Sequence, residues 1–306
     1  MEKTIQEGGF GRLLREWRTR RGMSQLHLAV EAGVSSRHLS FVETGRSTPS
    51  REMVVLLARA LDVPFRDRND LLTAAGYAAI YRATSLDAPP LAQARRALDY
   101  ILRQQEPYPA LVLDRHWNVL KVNEGSARVQ AVFLDPASVA TLGAPNAMRL
   151  MFHPKGFRPW IVNWEPTAAS LIQWLHRDVA TGFADAETRA LLEELLSYPD
   201  TPRQWRALDL DASPAPFLPI EFRKGDLALR YFTTLTMLGT PHDITLQEVR
   251  VESFFPADEA TERATMKLGG PEMAPQFLKR GADAPPDLPG PRASRPGEAR
   301  PRLESR

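Results

Sequence analysis

Short helices separated by glycine turns are the feature that most constrains the front of this 306-residue chain. A glycine that can end one helix and a serine that can cap the next form three pairs: Gly22 and Ser24, Gly33 and Ser35, and Gly45 and Ser50. Glycine ends a helix in the left-handed conformation without a Cβ clash, and the serine oxygen accepts a hydrogen bond from the next helix's first turn. With a fifth segment from Phe65 to Ala75, the pattern predicts five short helices between residues 10 and 75.

Apolar residues at helical spacing predict which face of each helix points inward. The predicted inner residues are Leu13, Leu14 and Trp17 of the first helix, Leu26, Ala29 and Val30 of the second, Leu39 and Val42 of the third, and Val54, Leu57 and Leu61 of the fourth. The outer side of the third helix then carries a polar and cationic set: Ser36, Arg37, Ser40 and Phe41, with His38 beside them. Such a helix, held outward after a glycine turn, is typical of a helix-turn-helix that meets DNA bases.

The residues SQLHLAVEAGVSSRHLSFVETGRSTPS, positions 24–50, resemble the phage-repressor-like (XRE-type) helix-turn-helix family. The resemblance implies a module that binds double-stranded DNA through these residues: Gln25, Ser35, Ser36, Arg37, His38, Ser40, Phe41 and Arg46. It implies phosphate contacts for Gln25 and Arg46. Ser36 and Arg37 would face base edges, and Phe41, which replaces a polar residue common in the family, would meet a thymine methyl group.

An internal ion pair is also implied by this resemblance. Arg18 and Glu43 match two residues that form a salt bridge in the family, so we expect both to be structural. A helical module that binds only proteins would show the same spacing and stays open as the alternative.

The rest of the chain predicts a linker helix followed by an α+β domain. A stripe of Ala94, Leu98, Ile101 and Leu102 predicts a linker helix over 77–105. The predicted strands lie at 110–113 and 118–122, joined by a hairpin at 114–116, and at 217–223, 226–238 and 244–255; the predicted helices lie at 123–134, 146–152, 167–181 and 185–197. Two strands, several helices and three antiparallel strands are the order of a PAS-like domain with one antiparallel sheet.

Two stretches of this region, PYPALVLDRHWNVLKVN and NAMRLMFHPKGFRPWIVNW, resemble the ligand-binding domain of MmyB-like transcription regulators. The resemblance covers about residues 95–255 and implies a sensor domain with a fatty-acid-type ligand. The residues independently favour a small-molecule pocket, because many apolar aromatic side chains stand beside a few polar ones. The predicted ligand-binding residues are Arg149, Phe152, His153, Trp160, Asn163, Trp164 and Trp174. The alternative is that the tryptophans are core and the arginines are surface charges.

Composition sets limits on location and chemistry. Residues 1–82 have an excess of Lys and Arg and residues 83–268 an excess of Asp and Glu, so a polyanion is expected to bind the front. The chain has no cysteine, and it shows no signal-peptide pattern and no apolar run long enough to span a membrane. No Gly-rich phosphate loop, paired-histidine metal motif or nucleophile elbow is present, so we expect a cytoplasmic protein that is neither an enzyme nor a binder of metals, cofactors or membranes.

Four segments are predicted: a helix-turn-helix domain at 1–76, a linker helix region at 77–106, a PAS-like ligand-binding domain at 107–268 and a disordered, Pro- and Gly-rich tail at 269–306. The favoured function is a homodimeric transcription regulator that senses a small hydrophobic acid, such as a fatty acid. The alternative function is an antitoxin-like or scaffold protein whose second domain is structural.

Overall fold

The computed structural model describes residues 9–181, 185–202 and 219–269 of the chain. Its front part consists of five helices: α1 (Gly9–Arg20), α2 (Gln25–Glu31), α3 (Ser36–Glu43), α4 (Arg51–Ala60) and α5 (Phe65–Ala74). The predicted five-helix order is confirmed. The tail predicted to be disordered lies outside the described residues, except for Gly269.

The glycine and serine pairs form the predicted helix ends. Ser24, Ser35 and Ser50 accept hydrogen bonds from the backbone N–H groups three residues further on, at 3.0, 3.2 and 3.2 Å. The three glycines, Gly22, Gly33 and Gly45, have φ values of 64°, 65° and 74°. A side chain with a Cβ would be strained there, so the glycines fix where the first three helices stop.

The inner face of α2 differs from the prediction. Leu26 and Val30 are 65% and 72% exposed, whereas Leu28 and Ala29 are buried. In so short a helix, the apolar residues fit two possible stripes. The buried stripe is Leu28 and Ala29, and it continues beyond the helix end to Ala32, which packs in the five-helix core. The predicted core residues of the other helices are buried, namely Leu14, Trp17, Leu39, Val42, Val54, Leu57 and Leu61, and Leu13 packs against them.

The second part of the chain contains one five-stranded antiparallel sheet. Its strands are β1 (Ala110–Leu113), β2 (Val119–Val122), β3 (Ile220–Lys224), β4 (Leu227–Met237) and β5 (Arg250–Pro256), in the spatial order β2-β1-β5-β4-β3. Its helices are α6 (Ala92–Gln104), α7 (Glu124–Phe133), α8 (Pro136–Ala140), α9 (Ala147–Phe152), α10 (Trp164–Thr181), α11 (Ala186–Ser197), α12 (Ile244–Glu248) and α13 (Glu259–Leu268). The predicted α+β class with an antiparallel sheet is therefore confirmed.

The two faces of the sheet have different partners. On the outer face, Leu98 and Leu102 of α6 pack against Val112 and Val251. On the inner face, a larger core joins the sheet to helices α7, α9, α10 and α11. Among the described residues, no helix combines the length and apolar character that crossing a membrane requires.

Two predicted elements are wrong in part. Residues 77–88 contain no helix, because Gly76 leaves α5 with a φ of 86° and Asn69 then binds the backbone of the extended segment at Ile80 and Tyr81. The strand predicted over 244–255 begins only at Arg250. Its first part is α12, which Asp243 caps by accepting from Thr245 N–H at 2.9 Å.

Candidate DNA interface and ligand cavity

The outer side of α3 carries the residues predicted to contact DNA. Ser35, Ser36 and Arg37 are exposed at its N-terminal end, and Arg46 is exposed just after its C-terminal end. His38, Ser40 and Phe41 are partly exposed. The Arg37 guanidinium carbon lies 5.5 Å from the centre of the Phe41 ring, so the ring supports the arginine from one side.

Glu43 fixes the other end of α3 to the rest of the front part. Its side chain is fully buried and accepts from Arg18 Nε at 2.6 Å and Arg18 Nη2 at 3.0 Å. It also accepts from Gln25 Nε2 at 2.8 Å. Burial works to raise the pKa of Glu43, but the hydrogen bonds from Arg18 and Gln25 outweigh it and lower the pKa below its usual value.

These contacts bear on two of the predicted roles. Arg18 and Glu43 form the ion pair that the family resemblance implied. Gln25 is partly buried and donates one Nε2 hydrogen to Glu43, which leaves the second amide hydrogen as the donor for the predicted phosphate contact. Its phosphate role stays a prediction.

The backbones of α1 and α3 approach closely beside this pair. A Cβ at Gly11 would lie 2.5 Å from the Glu43 carbonyl oxygen and 2.7 Å from that of Val42. Only glycine fits there, because real Cβ atoms do not come so near to backbone atoms. Gly11 therefore allows α1 and α3 to approach closely beside the ion pair, and the sequence patterns did not single it out.

A mostly apolar cavity lies between the inner face of the sheet and the helices above it. Two adjoining spaces of about 70 and 60 Å³ share five lining residues: Leu111, Gln130, Met151, Phe157 and Phe254. The first space is also lined by Trp117, Glu252 and Leu171. Its lining includes no Arg, Lys or His among the described residues.

Two polar groups of this cavity were missed by the sequence analysis. Glu252 of β5 lies between Leu111 of β1 and Leu235 of β4, and only 7% of its surface is exposed. Burial raises its pKa to about 7, although a hydrogen bond with Thr233 acts to lower it. The indole N–H of Trp117 is buried without a hydrogen-bond acceptor in the part of the chain that the structure describes.

None of the seven residues predicted to bind the ligand is among those that line the cavity. The two with the strongest polar character are engaged by neighbours: Arg149 Nε bonds both Glu194 oxygens at 2.9 Å, and Asn163 bonds the backbone at Pro219 and Glu221. His153 Nδ1 accepts from Lys155 N–H.

The four aromatic residues of the predicted set contribute to the surrounding core. Phe152 packs edge-on against Trp164 with ring centres 4.9 Å apart, and the Trp164 indole donates to the Asp200 carbonyl at 2.7 Å. Trp160 contacts the ring of Phe133. Trp174 stacks on Trp117, which lines the cavity, with ring centres 6.1 Å apart.

A polar junction cluster, formed by Arg66, Arg115, His116, Asp185 and Glu248, joins the two parts of the chain. Arg66 of α5 makes two bonds to Glu248 of α12, at 2.8 and 2.9 Å, and Arg115 bonds the same carboxylate at 3.1 Å. Arg115 also pairs with Asp185, which bonds His116 Nε2 at 2.7 Å. The β1–β2 hairpin thus contacts α5 through Glu248, while its Trp117 lines the cavity.

Asp67 of α5 lies near this junction cluster and has a shifted pKa. Burial and the neighbouring charge of Asp70 raise the pKa of Asp67 to about 6, although Arg115 opposes the shift. A cleft of about 360 Å³, lined by Arg66, Arg115 and Glu248 among others, opens beside the cluster.

Two family models match separate parts of the chain. Residues 10–71 match a family model described as a helix-turn-helix domain, and residues 94–268 match one described as the MmyB-like transcription regulator ligand binding domain. The fold and these matches define a DNA-binding transcription regulator with a ligand-binding domain. Because the second match covers more than half of the chain, the protein belongs to the MmyB-like transcription regulators.

Solved structures with similarity to the chain include two XRE-like regulators. The restriction-modification controller protein C.AhdI from Aeromonas hydrophila is 35% identical, with a TM-score of 0.20, over 22% of this chain and 96% of its own. The clp gene regulator ClgR from C. glutamicum is 31% identical, with a TM-score of 0.21, over 24% of this chain and 92% of its own. A comparison with curated proteins gives no significant match.

Proposed function

We propose that α3 reads a specific DNA sequence and that an amphiphilic small molecule in the inner-face cavity changes the affinity for that DNA. The observation that carries the first half is the exposure of Ser36 and Arg37 on a helix whose far end is fixed by Glu43. An exposed side chain at the N-terminal end of such a helix can reach base edges in the major groove, and Arg37 is suited to the O6 and N7 atoms of guanine. A homodimer is part of the proposal, because this type of domain binds two half-sites about one helical turn apart.

Replacing Arg37 by alanine is expected to weaken binding to the selected operator by about 1–3 kcal/mol and to relax the preference at one base pair. The measurement is fluorescence anisotropy with a duplex selected from a random library and with its single-base variants. Arg59→Ala is the control, since it removes an exposed arginine of α4 from the same part of the chain. Equal losses of operator affinity in both variants would mean that Arg37 contributes only its positive charge to binding.

The antitoxin-like or scaffold alternative has one observation in its favour. Leu26 and Val30 form an exposed apolar pair on α2, as a protein contact would require. The same DNA experiment separates the two functions, because a scaffold would show no preference among duplex sequences.

The cavity supports the second half of the proposal. Its lining is apolar apart from a few polar groups, which is the usual character of a small-molecule site. The spaces of about 70 and 60 Å³ are smaller than the cavity of about 150 Å³ known to hold benzene. A ligand with a long chain, such as a fatty acid or a similar lipid-like acid, therefore has to displace the covering helices or the β1–β2 hairpin.

Movement of the β1–β2 hairpin on ligand binding would be transmitted to the DNA-binding part. The hairpin that would move contacts Glu248, and Glu248 holds Arg66 of α5. A ligand shifts DNA affinity only as far as it binds one arrangement of these elements better than another. The proposed switch is thus a change in the junction cluster when the cavity fills.

Affinity for fatty acids is expected to rise with chain length until the expanded cavity is full. Each methylene removed from water contributes about 0.8 kcal/mol, or about fourfold in affinity. Calorimetry with acids of graded length measures this slope. Met151→Trp should block the cavity and weaken every acid, whereas Met237→Trp, at a position that is 62% exposed, is the matched control. Affinity that does not change with length would contradict an apolar site.

A further inference from the structure

Phe41 is a large apolar residue that the five-helix core does not use. Among the described residues, it is absent both from those that form this core and from those that pack against it. Its side chain is partly exposed on the outer side of α3, beside the residues predicted to contact DNA. The packing of the front part therefore does not account for a phenylalanine at this position.

The side-chain contact of Phe41 is with Arg37. The two residues stand four positions apart on α3, and residues at this spacing lie on the same face of a helix. The Arg37 guanidinium carbon lies 5.5 Å from the centre of the Phe41 ring, and within the described part of the chain Arg37 has no hydrogen bond or ion pair. The ring therefore favours a position of the guanidinium on the outer side of α3, where it can donate to a base.

The distance between the two groups decides which bases they can contact together. Base pairs follow one another at about 3.4 Å along DNA, so groups 5.5 Å apart reach one base pair or two adjacent ones. The guanine that suits Arg37 belongs to a G·C pair, which has no methyl group in the major groove. The apolar group that Phe41 can contact there is the C5-methyl group of a pyrimidine, and it has to come from the neighbouring pair.

We propose that Arg37 and Phe41 act as one unit that reads a step of two base pairs, a guanine next to a pyrimidine with a C5-methyl group. Thymine is the ordinary base of this kind. A 5-methylcytosine carries the same methyl group at the same ring position, so methylation of a cytosine beside the guanine would strengthen binding. The inference rests on the proposed DNA-reading function and names the step that α3 requires.

The first test removes the methyl group and nothing else. In the duplex selected from the random library, uracil replaces the thymine beside the guanine whose preference Arg37→Ala relaxes. Binding of the full chain, measured by fluorescence anisotropy, is expected to weaken about fourfold, because a methyl group no longer leaves water. When cytosine stands at the same position, its 5-methyl form should bind about fourfold more tightly than cytosine itself. Uracil at a thymine whose identity does not affect binding is the control and should change nothing.

Two substitutions separate the two roles of the ring. Phe41→Ala should bind the thymine and uracil duplexes equally. Its preference for the guanine should fall about two- to fivefold, because the guanidinium loses the ring beside it. Phe41→Leu keeps an apolar group for the methyl but has no ring, so it should retain the uracil effect and lose the same part of the guanine preference.

The possible results separate the inference from the function on which it rests. Equal binding of the thymine and uracil duplexes by the unaltered protein overturns the two-base step, while guanine reading by Arg37 stands. A uracil effect that persists in Phe41→Ala overturns the assignment to Phe41. If Phe41→Ala weakens binding to every duplex by the same factor, the residue serves stability alone and the inference is wrong. No preference among duplex sequences overturns the proposed function together with the inference.

Discussion

Glu43→Ala is expected to lower the free energy of unfolding of the helix-turn-helix part by about 3 kcal/mol. The figure is at the lower end of the range for breaking a buried ion pair, since Arg18 keeps 13% of its side chain exposed. Removing the carboxylate leaves the guanidinium of Arg18 and the amide of Gln25 without their partner. Hydrogen exchange of the α1 and α3 backbone amides of the full chain in increasing denaturant measures the loss.

The control removes an exposed ion pair from the same region. Glu16→Ala breaks the pair of Glu16 with Arg12, whose side chains are 36% and 65% exposed, and should cost about 0.5 kcal/mol or less. Similar losses in the two variants would show that the Glu43 site is open to water.

The same pair predicts how stability depends on pH. The folded-state pKa of Glu43 is lowered, so its contribution is fully present above the unfolded-state pKa of about 4.3. The contribution is lost as the pH falls through the lower folded-state pKa. Below that pH, the difference in stability between the unaltered protein and Glu43→Ala should shrink.

Glu248→Ala is expected to abolish the effect of ligand on operator affinity. Allosteric coupling between two sites is typically about 5- to 150-fold, and Glu248 is the residue through which Arg115 of the hairpin and Arg66 of α5 meet. Ligand affinity should change little, because Glu248 does not line the cavity. Operator binding is measured by anisotropy with and without saturating ligand.

The fold should survive this substitution. Arg66 is 42% exposed and keeps access to water, and Arg115 retains its bond to Asp185. Glu259→Ala, in the exposed pair with Arg263, is the control with the same change of charge. A full ligand response in Glu248→Ala would show that the signal travels by another path.

The front part could be predicted from sequence because its signals are local. A glycine at a helix end and a serine at the next helix start act within a few residues, so the turn at Gly33 and Ser35 is specified by neighbouring residues. The error in α2 arose where local information is ambiguous. Leu26 and Leu28 both fit an apolar stripe, and only packing against the other helices decides which one is buried.

The cavity could not be predicted, because it depends on contacts between distant segments. The aromatic residues around 146–164 predicted a pocket, and Phe152 and Trp164 of this set pack in the core beside the cavity. One signal was present and missed. Glu252 lies in a run of three buried residues of β5, between Val251 and Ser253, and a carboxyl group inside such a strand is a candidate functional group.

The small volume of the cavity affects the rates of ligand binding and release rather than the affinity. For the ligand proposed here, entry has to wait until the helices over the sheet or the β1–β2 hairpin open, because spaces of about 70 and 60 Å³ do not admit a long chain. Association is then limited by how often the protein opens and not by diffusion. Departure waits for the same opening, so the occupied state outlasts short dips in ligand concentration. The regulator would average its signal over the interval between openings and ignore faster fluctuations.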